Sequence, residues 1–348
     1  MGGSAKAKRA RRRARAADEP AVAAGERARG EVVKLDRGFP LVRLGDGRLV
    51  RCEHAVALVK GAAERAVIGD VVEVALPDGH DKGIIERIEP RRRELVRKDP
   101  TDRALPQVLA ANFERVMVVQ PIGEVNMRRL ERELVLAAET GAAIDVVLTK
   151  ADQAEGDQQI SEVRAAVQAL VGDGCRTIVV SSDSPASVEP VRDLLEPGTT
   201  TILLGRSGVG KSTLVNALVG HQLQETGSVR ATDGKGRHTT VSREVITLPN
   251  GSRIVDMPGV RGLGLWEADA GIGAAFPDIE ELAQQCRFRD CTHGVEPGCA
   301  VRAAVESGAL AQQRYDSYCA LKRETAEVRE RREQARWQQS DRGRAKKR

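Results

Sequence analysis

Residues 201–213 read TILLGRSGVGKST, an apolar run that leads into Gly205, Arg206, Ser207, Gly208, Val209, Gly210, Lys211, Ser212 and Thr213. A buried strand, a glycine turn and a helix start in that order make a socket for a nucleotide triphosphate. The glycines let backbone N–H groups curl around phosphate oxygens. Lys211 supplies a cation for the β- and γ-phosphates, and the Ser212 hydroxyl is placed to ligate Mg²⁺. The TLVNALV run after Lys211-Ser212 supplies the helix such a loop needs.

Strands and helices alternate around this loop. RVMVVQP is followed by a helix over about Met127–Glu139, then by AIDVVLTKAD, TIVVSS, TILLG and the helix after Lys211. REVITL and RIVDMPG then form a hairpin turning at Pro249-Asn250-Gly251. Such alternation predicts a mostly parallel sheet covered on both faces, with ligand loops gathered at the C-terminal ends of its strands. Thr149-Lys150-Ala151-Asp152, Ser181-Ser182, the phosphate loop and Asp256-Met257-Pro258-Gly259 all follow expected strands.

Each loop has a separate task. The Asp152 carboxylate can accept from the N1–H and 2-amino edge of guanine, which adenine does not offer, while Lys150 lies along the base face. Asp256 can hold Mg²⁺ through water, and the Gly259 N–H can meet the γ-phosphate, so that this loop registers whether the phosphate is present. Gly236-Arg237-His238-Thr239-Thr240 offers Thr239 or Thr240 to complete the metal shell. The order is unusual. In ordinary GTPases the base loop comes after the phosphate loop and DxxG, whereas here it comes first, so the domain reads as circularly permuted, an arrangement favoured by the closeness of a domain's natural ends.

Outward from this domain, residues 26–92 hold five short Val/Ile/Leu-rich strand candidates (GEVVKL, FPLVRL, RLVRCEH, DVVEVAL, GIIERIE) separated by Asp-Gly turns, a pattern expected of a small OB-type barrel. Phe39 is its only aromatic residue, which favours phosphate or duplex-shape contact over base stacking. After DMPG comes CRFRDCTHGVEPGC, with Cys286, Cys291, His293 and Cys299 in the spacing Cys-x4-Cys-x-His-x5-Cys. Three thiolates and an imidazole suit a closed tetrahedral structural zinc site, with no open position for catalysis. The alternatives are disulfides, disfavoured in a cytoplasmic chain, and free thiols. Cys52, Cys175 and Cys319 stand alone, and about 302–337 reads as charged helix packed on the knuckle.

The chain of 348 residues carries net charge +5, unevenly spread. Residues 1–16 hold seven basic side chains and no acid, and residues 341–348 hold five against Asp341, which leaves the intervening chain acidic. Such ends are expected to be disordered arms that contact nucleic acid. No apolar run approaches the roughly 20 residues of a membrane helix, and no apolar signal segment opens the chain. The expected location is cytoplasmic, with an organellar transit peptide as the alternative.

Taken together, TKAD, VSS, GRSGVGKST, GRHTT and DMPG in that order, the barrel before them and the knuckle after them resemble the ribosome small-subunit-dependent GTPase A (RsgA) family, over about residues 30–320. The resemblance implies a multidomain chain with an OB-fold (26–92), a circularly permuted α/β GTPase domain (103–266) and a zinc-binding helical domain (267–337); outside it, composition alone marks a basic disordered arm (1–25) and a basic tail (338–348). It implies GTP hydrolysis in late maturation of the 30S subunit, contact with 16S rRNA, stimulation by that subunit, and a monomer. It also implies Thr149, Lys150 and Asp152 on guanine and 205–213 on the phosphates. Val260 follows DMPG where many GTPases place a water-orienting glutamine, so slow unaided hydrolysis is expected. Water would then be positioned by His238, by a backbone group or by ribosomal RNA. Gly208 stands where some potassium-activated GTPases carry asparagine, which argues against that ion site. The competing classes are a metabolic P-loop enzyme, opposed by TKAD, and an RNA-binding scaffold with a degenerate site, opposed by intact Lys211, Ser212, Asp152 and Asp256.

Overall fold

In–out alternation, interrupted at Val32-Val33 and Val74-Ala75, shapes the first unit, residues 1–66 with 70–90. In the computed structural model, which describes residues 25–36, 39–62, 64–99, 105–172, 174–181, 184–220, 243–257 and 264–345, the alternation gives five strands. They are β1 (Glu26–Asp36), β2 (Phe39–Leu44), β3 (Leu49–His54), β4 (Val71–Leu76) and β5 (Gly83–Ile88). β1 is long enough to pair antiparallel with both β2 and β4, and its register shifts between Val32 and Lys34. Such a bulge bends a strand so that it can serve two neighbours. The parallel β3–β5 pairing closes the ring β1-β2-β3-β5-β4, the OB arrangement. Val32, Val42, Cys52, Val72, Val74 and Ile85 fill it and are fully buried. Outward-facing arginines are matched with carboxylates: Arg27 with Glu86, Arg29 with Glu89, Arg87 with Glu73 and Arg48 with Asp46. Phe39 is 41% exposed and has the Lys82 ammonium 4.8 Å from its ring centre.

The second unit, residues 67–69 with 91–348, begins with a hairpin of β6 (Glu94–Lys98) and β7 (Pro106–Ala111). The sequence reading did not predict it: ELVRK and PQVLAA are short, and the Asp99-Pro100 turn signal between them was not used. Then come β8 (Arg115–Pro121), helix α1 (Met127–Ala138), β9 (Ala143–Thr149), α2 (Asp157–Val171), β10 (Arg176–Val179), α3 (Glu189–Arg192), β11 (Thr200–Leu204) and α4 (Lys211–Val219). β12 (Arg243–Thr247) and β13 (Arg253–Asp256) form the expected hairpin, closed by Gly251 donating to Leu248 O at 2.9 Å. Within this unit the strand order is β10-β9-β8-β11-β13-β12, parallel except for β12. The apolar runs are buried because helices cover them: Met117, Val119, Val147, Leu203, Leu214, Val215, Leu218 and Ile254 share one core.

C-terminal to the sheet lie α5 (Asp269–Ala275), α6 (Pro277–Ala283), α7 (Ala300–Glu306) and α8 (Gln312–Ala345). The single helical stretch expected over 302–337 is therefore two helices. They part at Gly308, whose φ of +78° is left-handed and ends α7 at low cost only for glycine. α8 runs to Ala345, into the stretch read as a basic tail. Residues 1–24 and 346–348, and so most of the basic arm and the last of the tail, lie outside the described residues. α8 buries Tyr318, Leu321, Thr325 and Val328. Arg314 reaches Asp278 twice, at 2.5 and 2.7 Å, and lies 4.6 Å from the Phe276 ring centre, which fastens α8 to α6. Among the described residues no helix is long and apolar enough to cross a membrane.

Candidate nucleotide-binding site and metal centre

Register brings the predicted loops to one rim. Leu203 pairs with Asp256, Leu204 with Val118 and Pro121 with Thr149, so β11, β13, β8 and β9 end together. Gly205 turns the chain directly against β8. A Cβ there would sit 2.5 Å from Val119 O, a backbone atom that cannot give way. Gly205→Ala is accordingly expected to lose nucleotide binding at least tenfold and to destabilise the fold by about 1–3 kcal/mol, read by nucleotide titration and thermal melting. Beyond the turn, Arg206, Ser207 and Gly208 are exposed while Val209 anchors the loop in the core. Lys211, Ser212 and Thr213 form the first turn of α4, whose free N–H groups and dipole favour an anion. The Lys211 ammonium donates to Gly205 O and Arg206 O, each at 2.9 Å. Burial lowers its pKa, with Asp256 and Glu133 opposing. The cation is therefore folded back on its own loop, poised to be drawn out by phosphate oxygens.

Beside the loop lies a cavity of about 610 Å³ lined by Lys150, Asp152, Ser181, Gly210 and Thr213, with Thr149 at its wall. Lys150 is in the left-handed region (φ +59°), and Ala151–Gln153 form a short turn whose first N–H meets Val180 O at 3.3 Å. The Ser181 hydroxyl donates to Asp152 Oδ1 at 3.3 Å and so orients the carboxylate. Thr149 differs from expectation. It is buried, and its single hydroxyl proton is within reach of Val209 O and, at 3.2 Å, Gln120 O, so it braces base loop against phosphate loop. Gln120 in turn donates to the fully buried Glu133, which is paired with Arg129 at 2.9 Å. Neither Gln120 nor Glu133 was singled out from sequence, since a Gln inside a strand and a Glu inside a helix carry no motif. Arg192 was also missed; it lines the cavity and donates to Leu218 O and Ala217 O at 2.8 and 2.6 Å, capping α4.

Ser182, His238, Thr239, Thr240, Gly259 and Val260 lie outside the described residues. Asp256 ends β13 beside the strand that delivers the phosphate loop, a position from which it and Ser212 could share a Mg²⁺ ion.

The knuckle brings all four predicted ligands together, their ligand atoms within 4.8 Å of one another. Cys286 Sγ is 3.9 Å from Cys299 Sγ and 3.6 Å from His293 Nδ1, which is 3.5 Å from Cys299 Sγ. A tetrahedral ion with ~2.3 Å bonds to sulfur and ~2.0 Å bonds to nitrogen spaces its ligands at ~3.8 and ~3.5 Å, so the set fits one ion. Supporting contacts hold the cluster. Cys299 also caps α7 by accepting from Arg302 N at 3.5 Å, Glu296 accepts from Thr292 N at 3.0 Å, and Tyr315 donates to His293 O at 2.6 Å. The Glu296 carboxyl is pulled down to about 2, chiefly by the Thr292 hydroxyl that donates to it.

A phosphate loop on a largely parallel sheet, with a TKAD loop upstream of it in sequence and Asp256, the first residue of DMPG, downstream at the same rim, defines a circularly permuted P-loop GTPase. YloQ, solved as a circularly permuted GTPase, shares the fold with a TM-score of 0.59 at 24% identity, covering 88% of this chain and 96% of that one. The RsgA GTPase family model matches residues 88–266, and the chain belongs to that family. A Streptomyces avermitilis protein named small ribosomal subunit biogenesis GTPase RsgA is 40% identical over 300 residues, 86% of this chain and 80% of that protein. A Xanthomonas axonopodis pv. citri protein of the same name is 42% identical over 269 residues, 77% of this chain and 71% of that protein. The structure of YjeQ from Thermotoga maritima superposes with a TM-score of 0.63 at 26% identity, covering 86% of this chain and 99% of that one.

Proposed function

We propose that this GTPase acts in biogenesis of the small ribosomal subunit. In this reading it is a monomeric late maturation factor in the cytoplasm that contacts 16S rRNA and hydrolyses GTP when docked on the 30S particle. The observation that carries the reading is the joining, in one chain, of a permuted guanine-nucleotide rim to a Cys3His knuckle, in a sequence that aligns along most of its length with relatives bearing that name. Ser212 and Asp256, with Thr239 or Thr240, would hold Mg²⁺, which would neutralise charge developing on the phosphates. One structural zinc would occupy Cys286, Cys291, His293 and Cys299. Lys150 and Asp152 would select guanine, with Thr149, Ala151, Ser181 and Ser182 shaping the pocket. Residues 205–213 would hold the phosphates, and the Gly259 N–H would contact the γ-phosphate. With valine at 260, hydrolysis needs another group to aim water, and His238 is the candidate within this chain.

GTP turnover with and without purified 30S subunits is the test. At least tenfold stimulation by 30S, with none from 50S, is expected. Normal GTP binding without stimulation by 30S would defeat the proposal.

A further inference from the structure

The chain that follows DMPG is held at Gly264 and Leu265 by two hydrogen bonds, one to backbone and one to a side chain. Lys98 N, on β6, donates to Gly264 O at 2.9 Å, and Leu265 N donates to Glu324 Oε1 on α8 at 3.0 Å. Glu324 also pairs with Arg132 of α1 at 2.7 Å. Three elements therefore meet at one carboxylate: α1, α8 and the segment that follows Gly259 by six residues. The next residues lie along α8 as well. Trp266 has the Arg332 guanidinium 5.6 Å from its ring, Glu267 pairs with Arg332, and Asp269 pairs with Arg329. Leu265 is fully buried beneath them.

The neighbours of Arg132 on α1 face two ways. Glu133 and Arg129 belong to the network with Gln120, whose carbonyl accepts from the Thr149 brace of the phosphate loop. Glu131 reaches Arg314 of α8 at 3.5 Å, and Glu139 accepts from Gly271 N of α5. Helix α1 thus touches the nucleotide rim on one side and the C-terminal helices on the other.

We infer that Glu324 is a positioning residue that fastens the exit of the γ-phosphate-sensing loop to α8 and α1, so that a change of nucleotide is passed to the C-terminal helix. This rests on GTP binding and not on any ribosomal partner. A Leu265 N–H shifted by rearrangement of DMPG must carry the Glu324 carboxylate with it or break a half-buried bond. Either event alters the Arg132 pair and the bed on which Trp266 lies.

The chain has two tryptophans, so a Trp337→Phe background leaves Trp266 as the sole indole reporter, placed on the contact itself. Its emission is compared in the complexes with GDP and with a non-hydrolysable GTP analogue, nucleotide affinities being measured separately. A clear difference between the two complexes is expected in the Trp337→Phe background. Glu324→Ala should cut that difference at least threefold with both affinities within about twofold. Glu324→Gln, whose amide oxygen still accepts from Leu265 N, should keep at least half of it and melt normally. A difference undiminished in Glu324→Ala, an equal loss in both variants, or no difference at Trp266 despite normal binding of both nucleotides would overturn the inference. Failure to bind either nucleotide would instead strike at the GTPase reading.

Discussion

Asp152→Asn is expected to lower GTP affinity by about a hundredfold or more. A carboxylate accepting from N1–H and the 2-amino group makes two charge-assisted hydrogen bonds, each worth about 1.5–3 kcal/mol, and tenfold in affinity is about 1.4 kcal/mol. The asparagine amide keeps one acceptor, which can still take the Ser181 hydroxyl, but turns two N–H donors toward a base edge that is itself all donor. Xanthine carries an oxygen at position 2, so xanthosine triphosphate should bind the variant better than GTP does. Fluorescent-nucleotide competition measures both. The fold should persist, because Asp152 sits in an exposed turn at the mouth of the cavity. A variant that holds GTP within threefold of the parent would remove the base-reading role from this loop.

Stripping the knuckle of metal should have an effect of similar size on a different property. Structural zinc contributes an apparent ~10–16 kcal/mol in small metal-nucleated folds, and here Cys299, one of the four candidate ligands, also caps α7. Strong chelation, or Cys299→Ser, should unfold the stretch around 286–306, releasing the Tyr315–His293 link. The melting transition of that region should fall by tens of degrees or disappear. GTP affinity should stay within about threefold, since no knuckle residue lines the nucleotide cavity, and 30S stimulation should be lost. Elemental analysis giving about one zinc per chain would accompany this result. Protein purified without chelator, free of zinc and melting normally, would rule out the metal.

These two sites were legible in sequence because their chemistry demands fixed spacings: a lysine after a glycine turn, thiolates at metal-ligand intervals. The barrel and the parallel sheet were legible through periodicity. What escaped depends on distance in the chain. The β6–β7 hairpin was passed over because its strands are short, although Asp99-Pro100 lies between them, and the Gln120–Glu133–Arg129 network joins a strand to a helix through residue types that are ordinary on any surface. Thr149 was assigned to the base by motif, while only packing reveals that its hydroxyl is engaged by two backbone carbonyls. The split between α7 and α8 was missed because the helical pattern resumes beyond Gly308, although Ser307-Gly308 is itself a stop signal.

The matched arginines of the barrel have one consequence for any polyanion that approaches them. Arg27, Arg29, Arg48 and Arg87 are already faced by carboxylates of their own unit. A nucleic-acid phosphate arriving there must displace an acid, an exchange of one anion for another that sheds few bound salt ions. Counterion release, which makes nucleic-acid affinity fall steeply with salt, would then come mainly from the acid-free first sixteen residues and the basic end of the chain. If nucleic acid binds, the barrel would contribute shape, and the basic ends of the chain would set how steeply binding weakens with salt.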